Sequence, residues 1–193
     1  MGAAPFIIYV GVISRSRNLD LLMDAFALVA KAEPMARLML VGEGDALADL
    51  KAKAGDLGLG EQVIFTGRVA QADVPDYIAA ADIGVSPIPP TTYFRVSSPI
   101  KLFEYMGMGK PVVANEEILE HRRVVAESGA GRLVAYSPEA FADAIMQLLR
   151  NAEERRTAGE KGRAWLREHR SYDVLARRLE ARLRQLIETR LLR

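Results

Sequence analysis

The chain contains no cysteine, only two histidines and a single tryptophan among its 193 residues. Without cysteine there is no disulfide framework, no thiolate metal site and no cysteine nucleophile, and the bias is toward a cytoplasmic protein. His121 and His169 are too few and too far apart in sequence to argue for a metal, so none is expected. No uninterrupted apolar run approaches the roughly 20 residues a spanning helix needs. The N-terminus also lacks the basic region followed by an apolar stretch that marks a signal peptide. The chain therefore reads as soluble. A net charge of +1 lacks the domain-wide basic excess of a nucleic-acid binder, and no aromatic ladder accompanies the basic residues, so no nucleic acid partner is expected. The charge is unevenly placed: residues 151–193 carry 12 Lys and Arg against 7 Asp and Glu, which leaves the first 150 residues net negative.

Half of the residues are hydrophobic and a quarter charged, enough to bury a sizeable core without staples. Apolar runs at Phe6–Val10, Arg37–Val41, Val63–Thr66, Ile83–Val85, Pro111–Ala114 and Arg132–Ala135 predict strands. Between them, helical spacing is expected over Leu19–Lys31, Ala46–Leu57, Pro75–Ala81 and from Pro99 to Met106, and the chain reads as helical from Pro138 onward. Strands of continuous apolar character separated by helices predict an α/β fold, a doubly wound, parallel, Rossmann-like sheet with helices on both faces. Residues 1–170 are expected to form this domain and 171–193 a C-terminal amphipathic helix. Gly42-Glu43-Gly44 is not a dinucleotide fingerprint, because Leu47 stands where the third glycine would be and the strand is the second. No phosphate loop of the Gly-x-x-x-x-Gly-Lys-Ser/Thr type is present.

In such sheets ligands bind beyond the carboxyl ends of the strands, so candidate residues should fall in strand-to-helix loops. Gly11 permits a tight turn after the first strand, and Arg15 and Arg17 follow just before a helix N-terminus. Cations there oppose the helix dipole unless an anion lies between, which points to a bound phosphate, although side chains in water would also explain them. The segment from Val96 to Ala114 has Ser97 or Ser98 as a candidate helix cap, Pro99 at the first helical position, and glycines at 107 and 109 to end the helix. Within it, Glu104 stands among Ile100, Leu102, Phe103, Tyr105 and Met106 and must find strong donors. A pair of ribose hydroxyls would supply them; so would an ion pair with Lys101 one turn earlier.

Ser97-Ser98-Pro99-Ile100-Lys101-Leu102-Phe103-Glu104-Tyr105-Met106 followed by Gly109-Lys110-Pro111-Val112-Val113-Ala114 resembles the signature of the group 1 retaining glycosyltransferases, built from two Rossmann-like domains. The resemblance extends over about residues 6–165. It implies that Glu104 binds the ribose of a nucleotide-sugar donor, that Arg15, Arg17 and Lys101 grip the diphosphate, Arg15 in place of a cation the pattern has elsewhere, that the amides from Ser97 through Ser98 and Pro99 to Ile100 meet phosphate or sugar, and that Gly67, Arg68 and Val69 lie near the base. Two positions depart from the pattern: Val96 stands where a first glutamate contacts the transferred sugar, and Val12 where an arginine is usual. No cofactor is implied beyond the nucleotide-diphosphate sugar as donor substrate.

The same resemblance implies a second, acceptor-binding domain or subunit, so the chain reads as the donor-binding half of an enzyme whose acceptor is a glycan or lipid-linked molecule. Without that half no catalytic residue can be named. A nucleotide-binding or regulatory module without transfer activity is the alternative, supported by Val12 and Val96. The helix expected from Tyr172 to Leu192 aligns Leu175, Leu179, Leu183, Leu186, Ile187 and Leu191 on one side. That stripe fits packing on its own domain, packing on the other domain, or peripheral contact with the inner face of a membrane.

Overall fold

The computed structural model describes residues 4–191, and side chains as far as residue 189. Six strands, β1 (Phe6–Val10), β2 (Arg37–Val41), β3 (Val63–Gly67), β4 (Ile83–Ser86), β5 (Val112–Asn115) and β6 (Gly131–Val134), form one sheet in the order β3-β2-β1-β4-β5-β6. Every neighbouring pair is parallel. The helices are α1 (Asp20–Ala32), α2 (Leu47–Asp56), α3 (Val74–Ala80), α4 (Thr92–Arg95), α5 (Ile100–Gly107), α6 (Leu119–Ser128), α7 (Pro138–Arg150), α8 (Ala152–His169) and α9 (Tyr172–Leu191). This is the expected doubly wound α/β architecture.

Alternation of side chains along the strands divides the interior into two layers. Ile7 and Tyr9 of β1 join Leu38, Leu40, Val85 and Val113 against α1 and α7, where Leu22, Phe26, Phe141 and Ile145 are buried. Ile8 and Val10 face the other way, with Val41 and Val112, toward Ile78, Leu102, Tyr105, Met106 and Val124. α5 reaches the sheet closely because β4 contains Gly84: a Cβ there would lie 2.4 Å from the Tyr105 ring.

Several boundaries differ from expectation. The tract between Pro138 and the C-terminal helix is two helices and not one, because Asn151 ends α7 and caps α8 through its side chain, which accepts from the Glu154 N–H; α9 then begins at Tyr172, where the last helix was expected. The short α4 falls where only a loop was expected; the Thr91 hydroxyl caps it by accepting from the Phe94 N–H. α9 presents Leu175, Leu179, Leu183, Leu186 and Ile187 to solvent, so in this chain by itself the stripe is uncovered. Leu192 and the side chains of Arg190 and Leu191 lie outside the described residues.

Candidate functional site

Strand order reverses between β1 and β4, and the two strands pair only through Ile7 and Ile8. Beyond that point the sheet opens, and the Tyr105 hydroxyl fills the gap: it accepts from the Val10 N–H at 2.9 Å and donates to the Val85 carbonyl at 3.4 Å. A crevice of this kind outside the carboxyl ends is where doubly wound sheets bind ligands. Here it is a cavity of about 640 Å³, with walls from the β1 loop, the start of α3, α4 and the N-terminal turns of α5. A second cavity of about 470 Å³ shares Val10, Gly11, Val12, Gln71 and Val74 with the first and continues along Gly42, Glu43, Arg68 and Val69. The two form one cleft. Gly42 permits this arrangement, since a Cβ there would come within 2.0 Å of the Gly11 carbonyl oxygen.

Three charged side chains line the first cavity: Arg17, Lys101 and Glu104. Lys101 and Glu104 are three residues apart on α5 and share its face, yet they do not form the ion pair considered above. The Lys101 ammonium instead donates to the Tyr9 hydroxyl at 3.3 Å and sits 4.3 Å from the centre of the Tyr9 ring. Burial pushes Lys101 down to about 7, reinforced by the charge of Arg17 and opposed by that of Glu104. Burial likewise raises Tyr9 to about 12, against the influence of Arg17. Its hydroxyl donates to the Val12 carbonyl at 3.0 Å and so ties the β1 loop to the cavity floor. Glu104 is half-buried and, among the described residues, accepts no side-chain hydrogen bond and enters no ion pair.

Arg17 ends a single 3-10 turn, Arg15–Arg17, closed by Asn18 in the left-handed region at φ 45°. Its guanidinium lies over the Phe94 ring, 4.6 Å from the centroid. Phe94 is fixed in turn by a small cluster with Ile88 and Ile118. Arg15, by contrast, is not in the cavity wall: it is exposed and paired with Asp49 at 3.0 Å and Asp45 at 3.8 Å. Two neighbouring acidic residues thus account for it without a ligand.

Ser97, Ser98, Pro99 and Ile100 all line the cavity, but neither serine caps α5. Pro99 is itself the capping residue, while the Ser97 hydroxyl donates to the Phe94 carbonyl at 2.7 Å and that of Ser98 points toward Glu120 at 3.5 Å. The first-turn amides of α5 are therefore left without a side-chain acceptor beside the cavity, the arrangement that favours an anion. Of the Gly67–Val69 loop, Arg68 and Val69 line the second cavity; Gly67 lies behind them and bonds to Gly42 through its carbonyl. Val12 is 59% exposed in the shared wall, whereas Val96 is 73% exposed and outside it.

Tyr9, Gln71, Val74, Tyr93 and Phe94 also belong to the cleft or its floor and were not expected from sequence. The signal that could have placed Tyr93 and Phe94 on a helix is Thr91, a residue type that caps helix N-termini. A buried pair, Ser86 Oγ and His121 Nε2 at 3.1 Å, has the look of a nucleophile and base, but both residues are inaccessible and neither lines the cleft. His121 also bonds through Nδ1 to the Asn115 carbonyl at 3.0 Å, and burial pushes it down to about 4, so it is a neutral structural histidine. Among the described residues no group of acidic or histidine side chains has the makings of a metal site.

Comparison with known proteins places these features in a family. GDP-mannose-dependent alpha-(1-6)-phosphatidylinositol monomannoside mannosyltransferase of Mycobacterium tuberculosis is 28% identical over 198 residues, covering 95% of this chain and 48% of that protein. Mannosylfructose-phosphate synthase of Agrobacterium fabrum is 32% identical over 151 residues, 71% of this chain and 29% of that one. The chain thus spans less than half the length of either relative. The solved structure of Anabaena HepE in complex with UDP and glucose superposes with a TM-score of 0.81 at 21% identity, over 95% of this chain and 49% of that chain. The sequence profile described as glycosyl transferases group 1 matches residues 4–151, from before β1 to the end of α7, and so takes in every strand and both walls of the cleft; the chain belongs to the group 1 glycosyltransferases.

Proposed function

We propose that this chain is the donor-binding domain of a retaining glycosyltransferase, taking a nucleotide-diphosphate sugar and transferring the sugar to a glycan or lipid-linked acceptor held by a second domain or subunit. The observation that carries this reading is the unpartnered Glu104 carboxylate facing the first cavity, whose other charged lining residues are the cations Arg17 and Lys101. A nucleotide-sugar presents the complementary chemistry: two vicinal hydroxyls to donate to Glu104 and a diphosphate to meet Arg17, Lys101 and the first-turn amides of α5. The base then extends along Arg68 and Val69. Support also comes from the mannosyltransferase whose donor is GDP-mannose and from the HepE complex that holds UDP.

In this reading the bond between the anomeric carbon and the diphosphate oxygen breaks as the acceptor hydroxyl oxygen bonds to that carbon, and the hydroxyl proton passes to the departing diphosphate. Negative charge grows on the departing diphosphate, where two fixed cations and a helix N-terminus stabilise it without reorganisation. Alignment of the acceptor and exclusion of water fall to the second half of the cleft. The chain alone should therefore bind donor but not transfer it at an enzymatic rate.

Calorimetric titration with UDP-, GDP- and ADP-sugars tests the donor class, and Glu104→Gln tests the assigned contact. Loss of a charged acceptor costs about 1.5–3 kcal/mol, roughly tenfold or more in affinity, for ribonucleotides but not for their 2′,3′-dideoxy counterparts. Equal binding of ribose and dideoxyribose forms by the unaltered protein would make Glu104 a structural residue. Donor binding by a reconstituted two-domain enzyme that never transfers sugar would favour the module without activity.

A further inference from the structure

The junction between α8 and α9 is bound to the cleft through one carboxylate. Glu120, in the first turn of α6, has a side chain only 16% exposed, and it receives three groups from different parts of the chain. Arg123 of the same helix donates to both of its oxygens, at 3.0 and 3.2 Å. Arg170, the residue that closes α8, forms a tight ion pair with Oε1. The Ser98 hydroxyl, from the wall of the cleft, lies 3.5 Å from the same oxygen.

Arg170 also covers the ring of Phe103, 5.3 Å from its centroid, and Phe103 is the α5 residue that precedes Glu104. On its other side Arg170 is followed by Ser171, whose carbonyl accepts from the Leu175 N–H, and α9 begins at Tyr172. The Arg178 side chain closes back on the His169 carbonyl at 3.2 Å. The base of α9 is therefore fixed relative to Arg170, and Arg170 is fixed relative to Ser98 and α5.

We propose that Glu120 and Arg170 are positioning residues that couple the loop Ser97-Ser98-Pro99 at the cleft to the base of α9. A mostly buried ion pair contributes little net stability, because desolvation offsets attraction, but it imposes a defined geometry on what it joins. A shift of α9 that moves Arg170 must either drag Glu120 and Ser98 with it or leave the carboxylate with one cation fewer. By linkage the effect runs both ways: occupation of the cleft biases the setting of α9, and whatever engages the exposed leucine stripe of α9 biases the cleft.

Hydrogen exchange on the ligand-free 193-residue chain tests the coupling without reference to any ligand. Arg170→Ala should speed exchange of the Ser97 and Leu102 amides, which donate to the Phe94 and Pro99 carbonyls, at least fivefold while Ile7–Val10 keep their protection, and Arg170→Lys should restore part of the slowing. Ser98→Ala, a change at an exposed side chain that does not endanger the fold, should speed exchange at the hydrogen-bonded amides of Arg170 and Leu175. Loop exchange within twofold of wild type in a folded Arg170→Ala protein overturns the proposal, as does an unaltered α9 base in Ser98→Ala. A further arm, which rests on the donor reading, adds UDP or GDP: protection should spread to residues 169–175 in wild type and not in Arg170→Ala. Spread in both proteins overturns the coupling. If neither nucleotide binds, it is the donor reading that fails, and the ligand-free measurements still decide the coupling.

Discussion

Lys101 should take up a proton when the donor binds. In the ligand-free cleft its ammonium is buried against Tyr9 and faces Arg17, with Glu104 the one nearby carboxylate in the wall, and it titrates at about 7. It is then about half protonated at pH 7 and about one-tenth protonated at pH 8. A diphosphate placed beside it adds negative charge, favours the ammonium and moves the group back toward its ordinary value of 10.5. Uptake is then about 0.1 proton at pH 6, 0.5 at pH 7 and 0.9 at pH 8, and each pH unit above 7 costs about 1.4 kcal/mol, or tenfold in affinity. The sign is fixed: binding is strongest below pH 7 and weakens as the pH rises. Titration calorimetry of a nucleotide-sugar in phosphate and in Tris buffer reads the proton directly, from the dependence of the observed heat on the buffer's ionisation enthalpy. The sugar-bearing diphosphate lacks the second ionisation near 6 that a terminal phosphate would add. Tyr9 at about 12 and His121 at about 4 do not titrate in the same window. Lys101→Met keeps the apolar stem and should abolish the uptake and the pH dependence together. The same change should raise the thermal midpoint by about 3 °C or more near neutral pH, because a lysine that holds its proton more tightly when unfolded destabilises the native state there. Equal heats in both buffers at pH 8, with a pH-independent Kd, would refute the reasoning.

Phe94→Leu should leave the fold intact but release Arg17 from its ring, so that a nucleoside diphosphate loses about threefold to tenfold in affinity while the nucleoside is unaffected; calorimetry with both ligands checks this, and an unchanged preference for the diphosphate would separate Phe94 from Arg17. Stability should fall as the pH drops from about 6.5 to 4, since His121 is held neutral in the native state and is protonated first in the unfolded chain. The loss is about 2 kcal/mol at pH 5, read from urea denaturation at pH 5 and 7, and His121→Gln should flatten it.

The strands and most helices were legible because continuous apolar runs and helical spacing are properties of neighbouring residues. The same holds for Glu104: a carboxylate on a helix with apolar residues nearly all round announces that it needs donors. What was not legible depends on residues far apart in the chain. Arg15 and Arg17 are equivalent in sequence, and only the fold brings Asp45 and Asp49 to one and Phe94 to the other. Ser97 and Ser98 read as helix caps because capping is a local rule, but the carbonyl of Phe94 and the carboxylate of Glu120 compete for their hydroxyls and leave Pro99 in that position. Tyr9 read as one more strand residue, and its hydroxyl matters only because a lysine 92 positions later comes to rest on it.

The eight residues of α5 explain why a buried lysine is retained at such a cost. Leu102, Tyr105 and Met106 are turned into the core, and the Tyr105 hydroxyl holds β1 and β4 apart at the point where the sheet opens. The 3.6-residue period then fixes Lys101 and Glu104 on the opposite side, toward the cleft, whatever their own preferences. Three residues apart, they would lower each other's cost by pairing, but the Tyr9 ring and hydroxyl draw the ammonium away and leave the carboxylate open. A core made of the same helix without these charges would be more stable and would have nothing to offer a ligand. Under the donor reading proposed above, the destabilised lysine and the unsatisfied glutamate are thus one feature: binding energy withheld from the fold and available to a molecule carrying both an anion and paired hydroxyls.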